Sequence, residues 1–139
     1  MKERAEVPVG SEIPELRRVV TREDVVAYAE VSGDRNPLHV DDDFARSVGF
    51  PGVIAHGMFT MGHMAAAVTA WAGDPGVVGS IAAQFREPVF PGDTIVAGGR
   101  VRSVDPDEGV IALETWVALE RDGRVGWAVK KGSARVRLA

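Results

Sequence analysis

The chain contains no cysteine, which excludes disulfides, thiolate catalysis and cysteine-ligated metal sites and fits a reducing cytoplasm. A membrane-spanning run is also missing. The most apolar stretch, residues 57–72, carries His63 and several small residues and falls short of the roughly 20 apolar residues a spanning helix needs. A buried helix explains it better, and no membrane partner is expected. Behind Met1-Lys2-Glu3-Arg4-Ala5-Glu6 there is no apolar core, so no signal peptide is expected. Basic charge is not in excess either: the formal net charge is −4 and the lysines and arginines are scattered. That argues against nucleic acid, whose phosphates call for clustered cations. The mildly basic run from Lys130 to Arg137 alternates with small and apolar residues and reads as the solvated face of a strand.

What is present suffices for one packed core. At 139 residues and 45% hydrophobic, the chain has the size of a single domain covering residues 1–139. No internal repeat or low-complexity segment interrupts it. Residues 7–14 are rich in turn formers and are expected to lie extended over the surface, followed by a short β-type run at 16–20. Thr21 with Asp24 three positions on is a capping-box variant. It opens a short amphipathic helix through Val25, Val26, Tyr28 and Ala29 that ends near Ser32-Gly33. Residues 33–52 read mostly as loop, with one or two helical turns at 41–47. A long irregular stretch in a small domain is usually functional.

Residues 57–72 read as the central helix, apolar almost all round and therefore enclosed. The remainder reads as strands. Ile81, Ala83 and Phe85 alternate, residues 94–103 follow a Pro91-Gly92-Asp93 turn, and 110–120 joins 124–137 through Arg121-Asp122-Gly123. One buried helix and several antiparallel strands fit an α+β fold in which a curved sheet wraps the helix. A single sheet cannot cover the whole helix, so a dimer is expected.

The reactive groups gather in Ser32-Gly33-Asp34-Arg35-Asn36-Pro37-Leu38-His39. Asp34 and His39 are a carboxylate and an imidazole with Pro37 between them to restrict the backbone. Converging on one small volume, such groups can hold a water or hydroxyl and move protons. Asn36 is suited to tie the loop down through a side-chain turn. At the start of the central helix, His56-Gly57-Met58 brings free N–H groups and the positive helix end together. Gly57 lets a carbonyl approach the main chain, making an oxyanion site for a thioester enolate. Asn36, His56 and Met58 border these groups and are candidates for substrate contact. Each residue also has a plainer reading: Asp34 as a turn cap, His39 as a tied loop histidine, Gly57 as a helix-start glycine, His56 and His63 as structural histidines. His39 with Asp41, Asp42 and Asp43 fits a metal poorly, because three consecutive carboxylates point in different directions. No metal or cofactor is expected.

Order and spacing carry more than the residues taken singly. The segment from Tyr28 to His39, with Ala45 six positions beyond, closely resembles the hydratase signature of the MaoC-like (R)-specific enoyl-CoA hydratase family. Ile54-Ala55-His56-Gly57-Met58 resembles the start of that family's hot-dog helix. The segment from Phe85 to Thr94 resembles its strand-and-turn segment. The resemblance runs from about Ser11 to the C-terminus. Within the family, the short length and the segment Trp71-Ala72-Gly73-Asp74-Pro75-Gly76 look most like (3R)-hydroxyacyl-carrier-protein dehydratases. It implies a hot-dog fold whose sheets pair edge to edge, in a homodimer or with a related hot-dog subunit. It implies acid–base chemistry by Asp34 and His39 on an acyl thioester of coenzyme A or acyl carrier protein, with Gly57 N–H on the thioester carbonyl. One departure stands out. Some relatives place a serine about two turns after that glycine, near the aspartate, where this chain has Ala65. Support for Asp34 must then come from elsewhere, or the pair is tuned differently.

Two rival readings have sequence marks. A hot-dog thioesterase needs a carboxylate on or near the central helix, and residues 57–72 offer none. A non-catalytic acyl-binding subunit of a heterodimeric dehydratase is marked by loss of the aspartate or the histidine, and both are present.

Overall fold

The computed structural model describes residues 7–138; the N-terminal segment considered above for a signal peptide lies outside them. In chain order the elements are β1 (Glu12–Val19), α1 (Arg22–Ser32), α2 (Pro37–Val40), α3 (Asp42–Ser47), α4 (Gly57–Ala72), a 3₁₀ turn (Pro75–Val77), β2 (Val78–Phe85), β3 (Thr94–Asp105), β4 (Val110–Arg121) and β5 (Arg124–Arg137). The strands form one antiparallel sheet in the order β1-β3-β4-β5-β2. The expected α+β arrangement, a long helix against a wrapped antiparallel sheet, is what the chain adopts.

Strand periodicity sets the inner face of the sheet. Along β4, Ile111, Leu113, Thr115, Val117 and Leu119 are buried while the residues between them are not. Of these, Ile111, Leu113, Val117 and Leu119 join Ile95, Ala97 and Val101 of β3 and Val129, Ala134 and Val136 of β5 in one cluster with Met64 and Val68 of α4. Met64 and Val68 are fully buried; emptying such a position costs about 2–5 kcal/mol. The close approach of helix to sheet needs Gly132: a Cβ there would lie 2.5 Å from Thr115 Oγ1 and 3.1 Å from Met64 Sδ. Two strand residues, Lys130 and Lys131, stand opposite one on each neighbour just before it, a bulge that leaves both lysines exposed. On the outer face, Gly98 makes room for the Trp116 indole, so β3 is buried on both sides.

Local signals hold at several boundaries. Thr21 and Asp24 form the full capping box, and Gly33 ends α1 at φ 77°. The β4–β5 turn places Asp122 (φ 50°) and Gly123 (φ 75°) in the left-handed region, as a two-residue hairpin with primed turn geometry requires. The Pro91-Gly92-Asp93 turn is fixed by tertiary bonds. Asp93 is 4% exposed, accepts from Phe90 N at 2.7 Å and receives two bonds from Arg121, at 2.9 and 2.6 Å. The Arg121 guanidinium also donates to Pro88 O and lies 4.4 Å over the Phe90 ring.

Two expectations need correction. Residues 7–14 are not simply a surface segment. Val7 and Ile13 are buried, and β1 starts at Glu12, with a register shift around Pro14 that an edge strand accommodates. In the stretch 33–52 the helical turns expected at 41–47 are present as α3, but residues 37–40, expected to be loop, form a further short helix, α2. As expected of a single sheet, part of the central helix stays open within one chain: Met58, Gly62, Ala66 and Ala70, four residues apart on one stripe, are exposed.

Two predictions follow from these contacts. His63 of α4 donates from Nε2 to Leu16 O at 2.7 Å. Its pKa is lowered from 6.5, by burial first and by nearby Arg18, against the opposing pull of the Leu16 carbonyl. The unfolded chain therefore binds more protons just below pH 6.5, so stability falls as pH drops through that window. His63→Gln, which keeps an N–H for Leu16 O, will flatten this slope in denaturant titrations from neutral to acidic pH. Arg121→Ala strands the buried Asp93 carboxylate and will cost about 3 kcal/mol in urea unfolding. Arg121→Lys, which keeps the charge but loses the fork, will fall between it and wild type.

Candidate active site

The segment from Gly33 to His39 is organised by its own side chains. Asp34 N donates to Ser32 Oγ, Asn36 N donates to Asp34 Oδ1 at 3.2 Å, and Leu38 N donates to Asn36 Oδ1 at 3.0 Å. Asn36 thus caps α2, with Pro37 as its first residue. This nest of turns lifts the Asp34 carboxylate into solvent, with its side chain 54% exposed, and turns His39 inward, with 12% exposed.

His39 Nδ1 lies 2.7 Å from Ile54 O. A carbonyl oxygen only accepts, so Nδ1 carries the hydrogen and the Nε2 lone pair is left for chemistry. That Nε2 stands 3.9 Å from Asp34 Oδ2. The gap is too wide for a direct hydrogen bond and suits one oxygen bonded to both groups. Asp34 and His39 are therefore brought together.

Gly57 is the first residue of α4, and His56 before it makes no side-chain cap. The first bonds of the helix run from Phe59 and Thr60 N–H to His56 O, so the N–H groups of Gly57 and Met58 have no acceptor within the helix. A Cβ at Gly57 would lie 3.0–3.2 Å from the Phe85 ring. A hollow of about 190 Å³ opens beside Gly57, lined by Ile54, Ala55, Thr60, Phe85 and Val89 among others. A larger groove of about 730 Å³ runs between α3 and the β4–β5 turn, past Asp42, Arg46, Asp93 and Arg124. It touches none of Asp34, His39 and Gly57, and its bulk does not bear on their chemistry.

The three residues expected at the border of the site part company. Met58 is 57% exposed beside Gly57. Asn36 has its Oδ1 committed to Leu38 N–H. His56 is only 2% exposed and sits behind the pair: its Nε2 lies 2.8 Å from Asp34 O and its ring stacks on His39 with centroids 3.7 Å apart. Sequence reasoning did not foresee that contact; the only signal was a histidine at a position where helices favour serine, threonine or aspartate. Ala65 is half-buried and offers no hydroxyl. The bonds that hold Asp34 are made with Ser32, Asn36 and His56 instead.

Asp34, His39 and His56 together place potential ligand atoms within 4.8 Å of one another. The geometry does not suit a metal. The stacked imidazoles are tilted by only 21°, and ring-nitrogen lone pairs lie in the ring planes, so they run side by side instead of converging at the roughly 2.1 Å a metal requires.

Comparisons with known proteins bear on the fold and the family of the chain. The MaoC-like domain family matches residues 5–118. The chain is 31% identical over 124 residues to the (R)-specific enoyl-CoA hydratase of Rhodospirillum rubrum, covering 88% of this chain and 83% of that protein. It is 44% identical over 101 residues to 3-hydroxyacyl-thioester dehydratase Y of Mycobacterium tuberculosis, covering 66% of this chain and 34% of that one. The solved (R)-hydratase from A. caviae involved in PHA biosynthesis superposes with a TM-score of 0.83 at 29% identity, covering 96% of this chain and 98% of that one. The chain thus spans about a third of the mycobacterial relative, and 59% of the 3-hydroxybutyryl-CoA dehydratase of Methylorubrum extorquens that it also matches. The fold, the ordered motifs and these matches agree: the chain belongs to the MaoC-like domain family.

Proposed function

We propose that the protein is a hydro-lyase interconverting trans-2-enoyl and (3R)-3-hydroxyacyl thioesters, carried on coenzyme A or acyl carrier protein. The observation that carries this reading is the 3.9 Å gap between Asp34 Oδ2 and the free Nε2 of His39, close to helix N–H groups that lack an intrahelical acceptor. In the hydration direction a water oxygen held by the pair bonds to C3. Its proton passes to one of the two groups, and the C2–C3 π electrons shift toward the thioester carbonyl. The Gly57 N–H steadies the enolate oxygen that forms. A proton from the pair then reaches C2 and closes the cycle. Net, one water adds across one double bond, with no redox change.

The hydratase and dehydratase names of the relatives support the reaction class. The presence of both Asp34 and His39 favours this reading over a non-catalytic acyl-binding subunit. A second hot-dog chain, either another copy or a related subunit, covers the exposed stripe of α4 and meets the free edge of β2, where Phe85 is 49% exposed. Among the described residues no helix is long and apolar enough to cross a membrane. The cysteine-free sequence fits a cytoplasmic setting.

Asp34→Asn and His39→Ala will each lower hydration of a crotonyl thioester by at least about 100-fold, with far-ultraviolet circular dichroism unchanged. Substantial turnover in either folded variant rules out the pair. Gly57→Ala is a less clean probe, because its methyl group displaces Phe85.

A further inference from the structure

Asp34 sits on a loop and His39 on a four-residue helix, segments that by themselves hold side chains loosely. Both are tied to one residue. His56 Nε2 donates to the main-chain oxygen of Asp34, 22 positions earlier in the chain, and the His56 ring stacks face to face on His39. Tyr28 of α1 packs against the same ring at 4.8 Å. We infer that His56 is the positioning residue of the site: it fixes the Asp34 main chain and the His39 ring relative to one another and so sets the separation of their reactive atoms, without touching substrate. This inference rests on the hydratase reading above.

Three features carry it. First, His56 occupies the N-cap of α4 yet makes no cap bond. Its side chain turns away from the helix and leaves the N–H groups of Gly57 and Met58 uncapped. Second, His56 is only 2% exposed, so substrate has no route to it once the site is formed. Third, Nδ1 is buried with no partner among the described residues. A phenylalanine would fill the same space with no polar atom to desolvate. What the imidazole supplies, and a hydrocarbon ring does not, is the Nε2 hydrogen aimed at Asp34 O. Because Ala65 has no hydroxyl to offer, that bond is one of few holding Asp34.

The two halves of the role separate by mutation. His56→Gln keeps an N–H within reach of Asp34 O and loses the ring, whereas His56→Phe keeps the stack and loses the N–H. Each will lower kcat for crotonyl thioester hydration by about 10–100-fold, as a misplacement on the ångström scale does, with KM within about threefold of wild type. In both, the His39 Nδ1 proton that bonds Ile54 O will exchange with water faster than in wild type, read by nitrogen-15 edited proton NMR. His56→Ala, which loses both contacts, will fall below either. Folded Gln and Phe variants that keep kcat within about twofold overturn the inference. A loss confined to KM also overturns it, since that marks a substrate contact. If both variants fail to fold, His56 is a stability residue and the inference fails. Inactivity of the wild type defeats the hydratase reading instead, and the proton-exchange measurement then judges the positioning role by itself.

Discussion

The structure depends on burial of one stripe of α4, centred on Met64 and Val68, against the inner face of a five-stranded sheet. Inner-face residues of β3, β4 and β5 meet that stripe, and the helix comes close enough that Gly132 has no room for a side chain. Holding the helix axis also holds its first turn. His56 and Gly57 are therefore delivered to one fixed place at the end of the sheet, where the Gly33–His39 loop can be built against them.

What distinguishes the site is the conflict resolved at that helix start. A helix N-terminus ordinarily gains stability from a capping side chain. Here the cap position holds a histidine that bonds elsewhere, so local helix stability is given up and the N–H groups stay open. The Pro91-Gly92-Asp93 turn offsets part of that loss. Its Arg121–Asp93 clamp holds the segment that carries Val89, and Val89 O accepts from Ala55 N at 2.7 Å, one residue before His56. Tertiary bonds thus do the work that a local cap does in other helices.

Much of this was legible in the sequence, for a physical reason: the signals were local. The Thr21–Asp24 capping box, the left-handed Asp122-Gly123 turn and the alternation along β4 each depend on residues within a few positions. That Asp34 and His39 come together was readable as well, the two being closely spaced in the chain. What escaped was set at long range. The start of β1 at Glu12 is fixed by pairing with Arg100, not by its own turn-rich composition. His56 read as structural and also as a possible substrate contact, because nothing near it in sequence shows that its partners are Asp34 and His39.

The central claim is that the pair adds and removes water across an enoyl thioester instead of cleaving it. Its most direct test is product analysis after incubating the purified protein with a trans-2-butenoyl thioester. Chiral chromatography and thiol titration together distinguish the outcomes. An intact thioester of (3R)-3-hydroxybutyrate, with no thiol released, is predicted. Free thiol, a (3S) product, or unchanged substrate from folded protein assembled with its partner chain contradicts it.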